Sequence, residues 1–294
     1  MSRNCKAWIE ALRLRTLPVS VAGVAGGVAC ALTYGAFRLL PMIVCLLFAV
    51  MAQIVSNFAN EYYDFKHGLD RKGREGFRRG VTEGDITPKA MKRATYILLA
   101  ITCAIGASLI IWGGWQLIFV GLLIAFFAIA YSAGPLPLSK IGLGDFAVII
   151  FYGIVPVIFT CFLLTGNWEN LSLTLPIGVA LGLLADNVLI INNYRDMEDD
   201  TKVGKLTTVV IFGRKVMRFI YLLNSTLALA VIAIFFIISR NPLWIICWAI
   251  SEIFYIFVWL KLASLRGSAL NGMLRLTALL MLAVCAAMIT AAAT

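Results

Sequence analysis

The chain reads as an all-α polytopic membrane protein, with nine transmembrane helices in one bundle, two pseudo-repeated four-helix halves plus one helix, and a cytoplasmic N-terminus. Three observations predict this. Apolar residues make up 61% of the 294 and mean hydropathy is +0.92, well above a soluble domain, of which about half is apolar. The apolar residues gather into runs close to the roughly 20 residues that a bilayer core requires, without the alternation of barrel strands. The 25 Lys and Arg residues gather between alternate runs, as they do where cytoplasmic loops retain positive charge.

In order, the expected spans are Leu17 to Tyr34, Pro41 to Ala59, Ala94 to Trp112, Trp115 to Tyr131, Leu143 to Leu164, Leu171 to Ile191, Phe219 to Ile238, Leu243 to Leu260 and Leu276 to Ala292. This arrangement puts 23 of the 25 basic residues on one side, leaving Arg38 and Arg240 opposite. The N-terminus is therefore expected inside. A net charge of +10 is then explained by topology and anionic headgroups, so no nucleic acid is expected, and no obligatory protein partner is implied. The first apolar segment runs on through Gly23, Gly26 and Gly27, and no cleavable signal peptide is expected. Of the seven cysteines, six fall in spans without metal-type spacing, which implies neither disulfides nor zinc.

Where the second span meets a charged loop, the sequence is Asn60-Glu61-Tyr62-Tyr63-Asp64, and 132 residues later it is Asn192-Asn193-Tyr194-Arg195-Asp196 at the end of the sixth. Residues four apart share a helical face, so each copy presents an amide and a carboxylate one turn apart. Asp70 and Asp200 follow, so four carboxylates can converge on hard divalent cations. Magnesium suits them best, because it takes oxygen ligands and is often completed by substrate phosphates. Both motif helices run in the same direction, so the halves are parallel copies. The inverted repeats common in transporters are absent; an ion-coupled transporter remains the alternative from another class, and a non-catalytic assembly subunit a third.

The polar loops, about 60–93 and 192–215, are expected to fold over the site of a single domain spanning 1–294. Their basic residues Lys66, Arg78, Arg79, Arg195, Lys202 and Lys205 suit phosphate oxygens, Arg most of all for bidentate contacts. A third segment, Tyr131 to Asp145, is rich in Pro and Gly and holds Lys140 and Asp145 near the same mouth. Asp186, inside the sixth span, should face the bundle interior; it shapes an acceptor pocket or serves as a hydrogen-bonded structural group. The lone histidine, His67, reads as a loop residue, and Glu252 has no assigned role.

These residues resemble the UbiA superfamily of intramembrane prenyltransferases over nearly the whole chain, and within it the branch acting on 1,4-dihydroxy-2-naphthoate. The likeness rests on Arg13-Leu14-Arg15-Thr16-Leu17-Pro18, on the step from Asn60 through Asp64 to Asp70, on Glu75 to Val81, on Tyr131 to Asp145, and on Asn192 to Asp200 leading to Gly204-Lys205. Gly68 stands where the hydroxybenzoate branch usually has a second aspartate.

The resemblance implies an integral plasma-membrane enzyme, with its active site on the cytoplasmic side, that takes polyprenyl diphosphate and an aromatic acceptor. Magnesium would be held by Asn60, Asp64, Asp70, Asn192, Asp196 and Asp200. Asp64, Asp196 and Arg195 would form the catalytic centre, and Lys66, Arg79, Arg195, Lys205 and Lys140 would bind diphosphate. Arg15, Tyr131, Asp145 and Asp186 are expected around the acceptor. The implied reaction is prenylation with decarboxylation, giving demethylmenaquinone; acceptors of the 4-hydroxybenzoate or homogentisate type remain open.

Overall fold

The computed structural model describes residues 3–73, 76–135, 137–238 and 243–294; Glu75 and Arg240, singled out above, lie outside them. All regular structure among the described residues is helical. The short α1 (Arg3–Ala11) turns Ala7 and Ala11 inward. A tight turn at Leu14–Thr16 leads to Pro18, whose fixed φ suits a first helical turn, and α2 (Leu17–Thr33) follows. Next come α3 (Leu39–Lys66), α4 (Gly80–Glu83), α5 (Pro88–Ser108), α6 (Ile110–Gly113) and α7 (Leu117–Ala130). After α8 (Gly144–Val148) and a π-helical turn at Ile149–Ile154 come α9 (Val155–Thr165), α10 (Leu171–Lys202), α11 (Thr208–Ile238), α12 (Leu243–Leu262) and α13 (Asn271–Ala293).

Eight helices among the described residues are long and apolar enough to cross a membrane. Large apolar side chains such as Phe119, Leu122, Phe126, Ile237 and Ile253 point outward, each more than 60% exposed. Such a surface is stable only against lipid, and the chain is an integral membrane protein.

Three segments differ from the sequence expectation. The fourth run forms a helix of 14 residues, about 21 Å at 1.5 Å per residue and short of the bilayer core, because Gly114 (φ 81°) breaks the chain before it. The helices α3 and α10 run on to Lys66 and Lys202, so both motifs lie on helix, and the loops expected from Asn60 and Asn192 begin later. The seventh helix starts at Thr208, eleven residues before Phe219, with a break at Gly213 (φ 78°, ψ 162°).

Close backbone contact positions α10, the helix that carries the second motif. Pro156 lacks an N–H and cannot close the bond to the Tyr152 carbonyl, and the π-helical turn sits just there. That wide turn lies directly on α10. A Cβ on Gly153 would come 2.2 Å from the Gly178 carbonyl oxygen, and one on Gly182 would come 2.6 Å from the Ile149 carbonyl oxygen. On the other side α2 packs along α9 and α13, with the Cys285 thiol meeting the Ala22 carbonyl at 3.3 Å.

Gly153→Val and Gly182→Val should each destabilise the bundle by at least about 1–3 kcal/mol, the usual cost of overpacking. Gly121→Ala, where an added Cβ meets nothing within 4 Å, should leave stability unchanged; thermal unfolding in detergent distinguishes the two classes.

Candidate active site

The ends of α3 and α10 meet at one mouth, and cations join them. The Lys205 ammonium lies 4.0 Å from Asp64 Oδ2 and 3.8 Å from Asp200 Oδ1, bridging the two motifs. The Arg71 guanidinium donates to the Lys202 carbonyl at 3.1 Å, and the Leu206 amide donates to the Lys140 carbonyl at 2.9 Å. These bonds gather the three segments that the sequence pointed to.

Around the first motif, Arg79 is the organiser. Its guanidinium is 8% exposed; it donates to Asn60 Oδ1 at 3.0 Å and lies 3.4 Å from Asp70 Oδ2 and 3.9 Å from Asp64 Oδ2. Asn60 Oδ1 also accepts from Arg13, while Asn60 Nδ2 donates to the Ser132 hydroxyl at 3.1 Å. Asp64 Oδ1 is buried with no hydrogen-bond partner.

Around the second motif, Arg195 is spent on its neighbours. Its Nε and Nη2 donate to the two oxygens of Asp196 at 2.7 and 2.8 Å, Nη2 also reaches Asn192 Oδ1 at 2.8 Å, and Nη1 reaches Asn271 Oδ1 at 2.9 Å. Its face stacks on Phe77 at 4.6 Å, and Arg15 covers the same ring at 3.2 Å. One aromatic ring between two guanidiniums thus ties the N-terminal segment to α10.

Below the mouth opens a cavity of about 280 Å³, whose wall includes Arg13, Asn60, Arg79, Asn192, Asp196 and Lys205. Phe127, Phe159 and Leu163 make its greasy side, and Tyr131 and Asp145 also face it. A second, almost wholly apolar cavity of about 240 Å³ lies between α3, α5 and α7 and shares Phe48, Ala52 and Gly121 with the first. The Tyr131 phenol hydroxyl, on this wall, is available as a hydrogen-bond donor.

Other expected residues stand off the cavity wall. Lys66 is exposed at the end of α3, its ammonium 6.0 Å from the Tyr63 ring. Lys140 meets the site through its backbone, Arg15 through Phe77, and Asp186 lies deeper, accepting from Asn224 at 2.9 Å. The sequence reading did not single out Arg13, Phe77, Ser132 or Asn271 as site residues. For Arg13 the signal is conformational: it is the only non-glycine residue at positive φ among those described (φ 50°), a strained geometry that concentrates at functional sites.

A ring of anion-ready cations and carboxylates over an apolar chamber defines a membrane protein that handles an amphiphile by its charged head. The chain belongs to the UbiA prenyltransferase family, whose pattern matches residues 19–272. It is 38% identical to the 1,4-dihydroxy-2-naphthoate octaprenyltransferase of Escherichia coli, over 81% of this chain and 79% of that one. With the protein of the same description from Haemophilus influenzae it shares 36% identity, over 72% and 71% of the two chains. Its fold matches a UbiA homolog from Archaeoglobus fulgidus bound to DMAPP and Mg2+, with a TM-score of 0.63 at 17% identity, covering 96% of this chain and 99% of that one.

Arg195→Lys keeps the charge but cannot span Asp196, Asn192 and Asn271 together. It should lower stability by on the order of 2 kcal/mol, the scale of lost hydrogen bonds to a charged group, read as an earlier thermal transition in detergent.

Proposed function

We propose that this protein transfers a polyprenyl group from polyprenyl diphosphate to 1,4-dihydroxy-2-naphthoate, with loss of carbon dioxide, giving the demethylmenaquinone skeleton. The observation that carries the reaction type is the meeting of the two Asn-x-x-x-Asp motifs, bridged by Lys205, over an apolar cavity. The acceptor rests on the relatives described as acting on that naphthoate. In this reading the chain has nine spans, its N-terminus is cytoplasmic, and the site opens on the cytoplasmic face of the plasma membrane, where its basic loops lie.

The mouth suits magnesium. Its donors are hard oxygens, and the partnerless Asp64 Oδ1 marks a coordination position that the protein leaves open. Among the described residues no three His, Cys, Asp or Glu side chains form a ready-made cage, so the substrate's own phosphates would have to complete the shell. Asn60, Asp64, Asp70, Asn192, Asp196 and Asp200 would hold the ion, which would supply charge stabilisation for the departing diphosphate.

Arg79 and Lys205 lie among the acids and also reach the cavity, so they are placed to hold diphosphate oxygens as negative charge builds there. Arg195 has every nitrogen engaged; it fixes the Asp196 carboxylate and the Asn192 amide in place, a positioning role. Lys66 and Lys140, off the cavity wall, serve the approach of an anionic head. Arg15 acts through Phe77, and Tyr131 donates toward the acceptor. The apolar walls hold the prenyl chain and exclude water, which would otherwise intercept the electrophilic allylic carbon. The ring carbon forms a bond to that carbon, the carbon–oxygen bond to diphosphate breaks, and the ring carboxylate leaves as carbon dioxide.

With magnesium, dihydroxynaphthoate and a polyprenyl diphosphate, purified protein should give the decarboxylated prenyl product by mass spectrometry. Asp64→Ala and Asp196→Ala should each cut the rate at least about a hundredfold, as loss of one preorganised electrostatic group does, and chelating the metal should abolish it. Turnover at the wild-type rate by both variants, or turnover in chelator, would overturn the site.

A further inference from the structure

One pair of acids remains outside the diphosphate machinery. Asp145, at the start of α8, faces the main cavity beside Tyr131, whose hydroxyl lies against Gly144, at 3.3 Å from where a Cβ there would sit. Asp145 Oδ1 accepts from the Thr208 hydroxyl at 2.9 Å, and its carboxyl lies beside that of Asp186. Asp186 is 3% exposed; Oδ2 accepts from Asn224 at 2.9 Å, while Oδ1 is buried and has no donor within the protein. Neither acid makes an ion pair with a cation among the described residues.

Two acids set side by side away from water, with one Asp186 carboxyl oxygen left without a donor, form a place where a proton can be shared. Paired titratable groups in unlike surroundings are the usual sign of acid–base work. Thr208, Asn224 and Tyr131 are the polar groups around them. Of the two acids, only Asp145 touches the cavity.

We propose that Asp145 is the catalytic base that takes the ring-hydroxyl proton of the aromatic acceptor, with Asp186 as the positioning residue that shares it. This rests on the prenyl-transfer reading above. The hydroxyl proton moves to Asp145, and the electron-rich ring carbon bonds to the allylic carbon as diphosphate leaves with the electrons of its carbon–oxygen bond. Carbon dioxide then departs, and its electron pair restores the aromatic ring. The ring oxygen takes the proton back from Asp145, so the pair is regenerated and no further reactant is needed.

The test measures kcat and KM for dihydroxynaphthoate prenylation by wild type, Asp145→Asn and Asp186→Asn between about pH 6 and pH 9.5, a range spanning phenol and carboxyl ionisation. The stabilisation of each protein by polyprenyl diphosphate with magnesium is followed by thermal shift. Wild type should show a plateau. D145N should lose about a hundredfold or more in kcat at neutral pH, the scale of general base catalysis, and recover about tenfold per pH unit as the hydroxyl ionises unaided. Its thermal shift with the diphosphate should match wild type, and D186N should move the onset of the plateau.

A D145N enzyme with wild-type kcat and pH profile overturns the proposal, as does one whose diphosphate stabilisation falls in step with kcat. An unmoved onset in D186N removes Asp186 from the pair. Should D145N fail to fold, Asp145→Glu retains a carboxyl, and its pH profile must shift for the proposal to survive. Absence of product from wild type with every aromatic acceptor overturns the prenyl-transfer reading itself, and this proposal with it.

Discussion

Everything at the mouth depends on bringing like charges together beside lipid. Asp64, Asp70, Asp196 and Asp200 stand on or just beyond two helix ends, and acids gathered in a poorly solvated place repel unless cations lie among them. Arg79, Lys205 and Arg195 are those cations. Each is reached from a different part of the chain: Arg79 precedes the short α4, Lys205 follows α10, and Arg195 lies within it. The ionic network is therefore also the tertiary structure of the loops, and the arrangement that binds charge is the one that closes the fold. Removing a partner from such a network leaves an uncompensated buried charge.

The apolar part of the molecule meets a different constraint. Backbone groups in lipid must be satisfied within the helices, so helices approach through small residues and not through polar side chains. Gly153, Gly178 and Gly182 let the wide turn of the fifth apolar segment rest on α10, and Pro156 is associated with that turn. The second motif is thus registered against the bundle by steric contact deep below it. A displacement there would carry Asn192 and Asp196 away from Asn60 and Asp64.

Much of this was legible in the sequence because membranes and helices impose simple periodicities. Eight of the apolar runs marked helices long enough to span, and the four-residue spacing of Asn60 with Asp64, and of Asn192 with Asp196, placed amide and carboxylate on one face. What escaped was set by tertiary geometry. Arg13 acts on Asn60 from a left-handed turn that no pattern of side chains announces. Arg195 looked like a free phosphate ligand because its distant partner Asn271 is 76 residues away. The helical start of α11 at Thr208 was hidden by the break at Gly213 and by the charged Arg214, Lys215 and Arg218 that follow it. Asp145 and Asp186, 41 positions apart in the chain, could be singled out one at a time, but only folding brings their carboxyls into contact.

The packing of α13 along α2 has a consequence for how the molecule is made. The glycine face of α2 is covered earlier in the chain, Gly23 and Gly27 by the fifth apolar segment and Gly26 by Leu181 of α10, whereas α13 packs along the same helix only after these. The first long helix is therefore enclosed in two stages as the chain is made, and a chain stopped between them leaves part of α2 facing lipid.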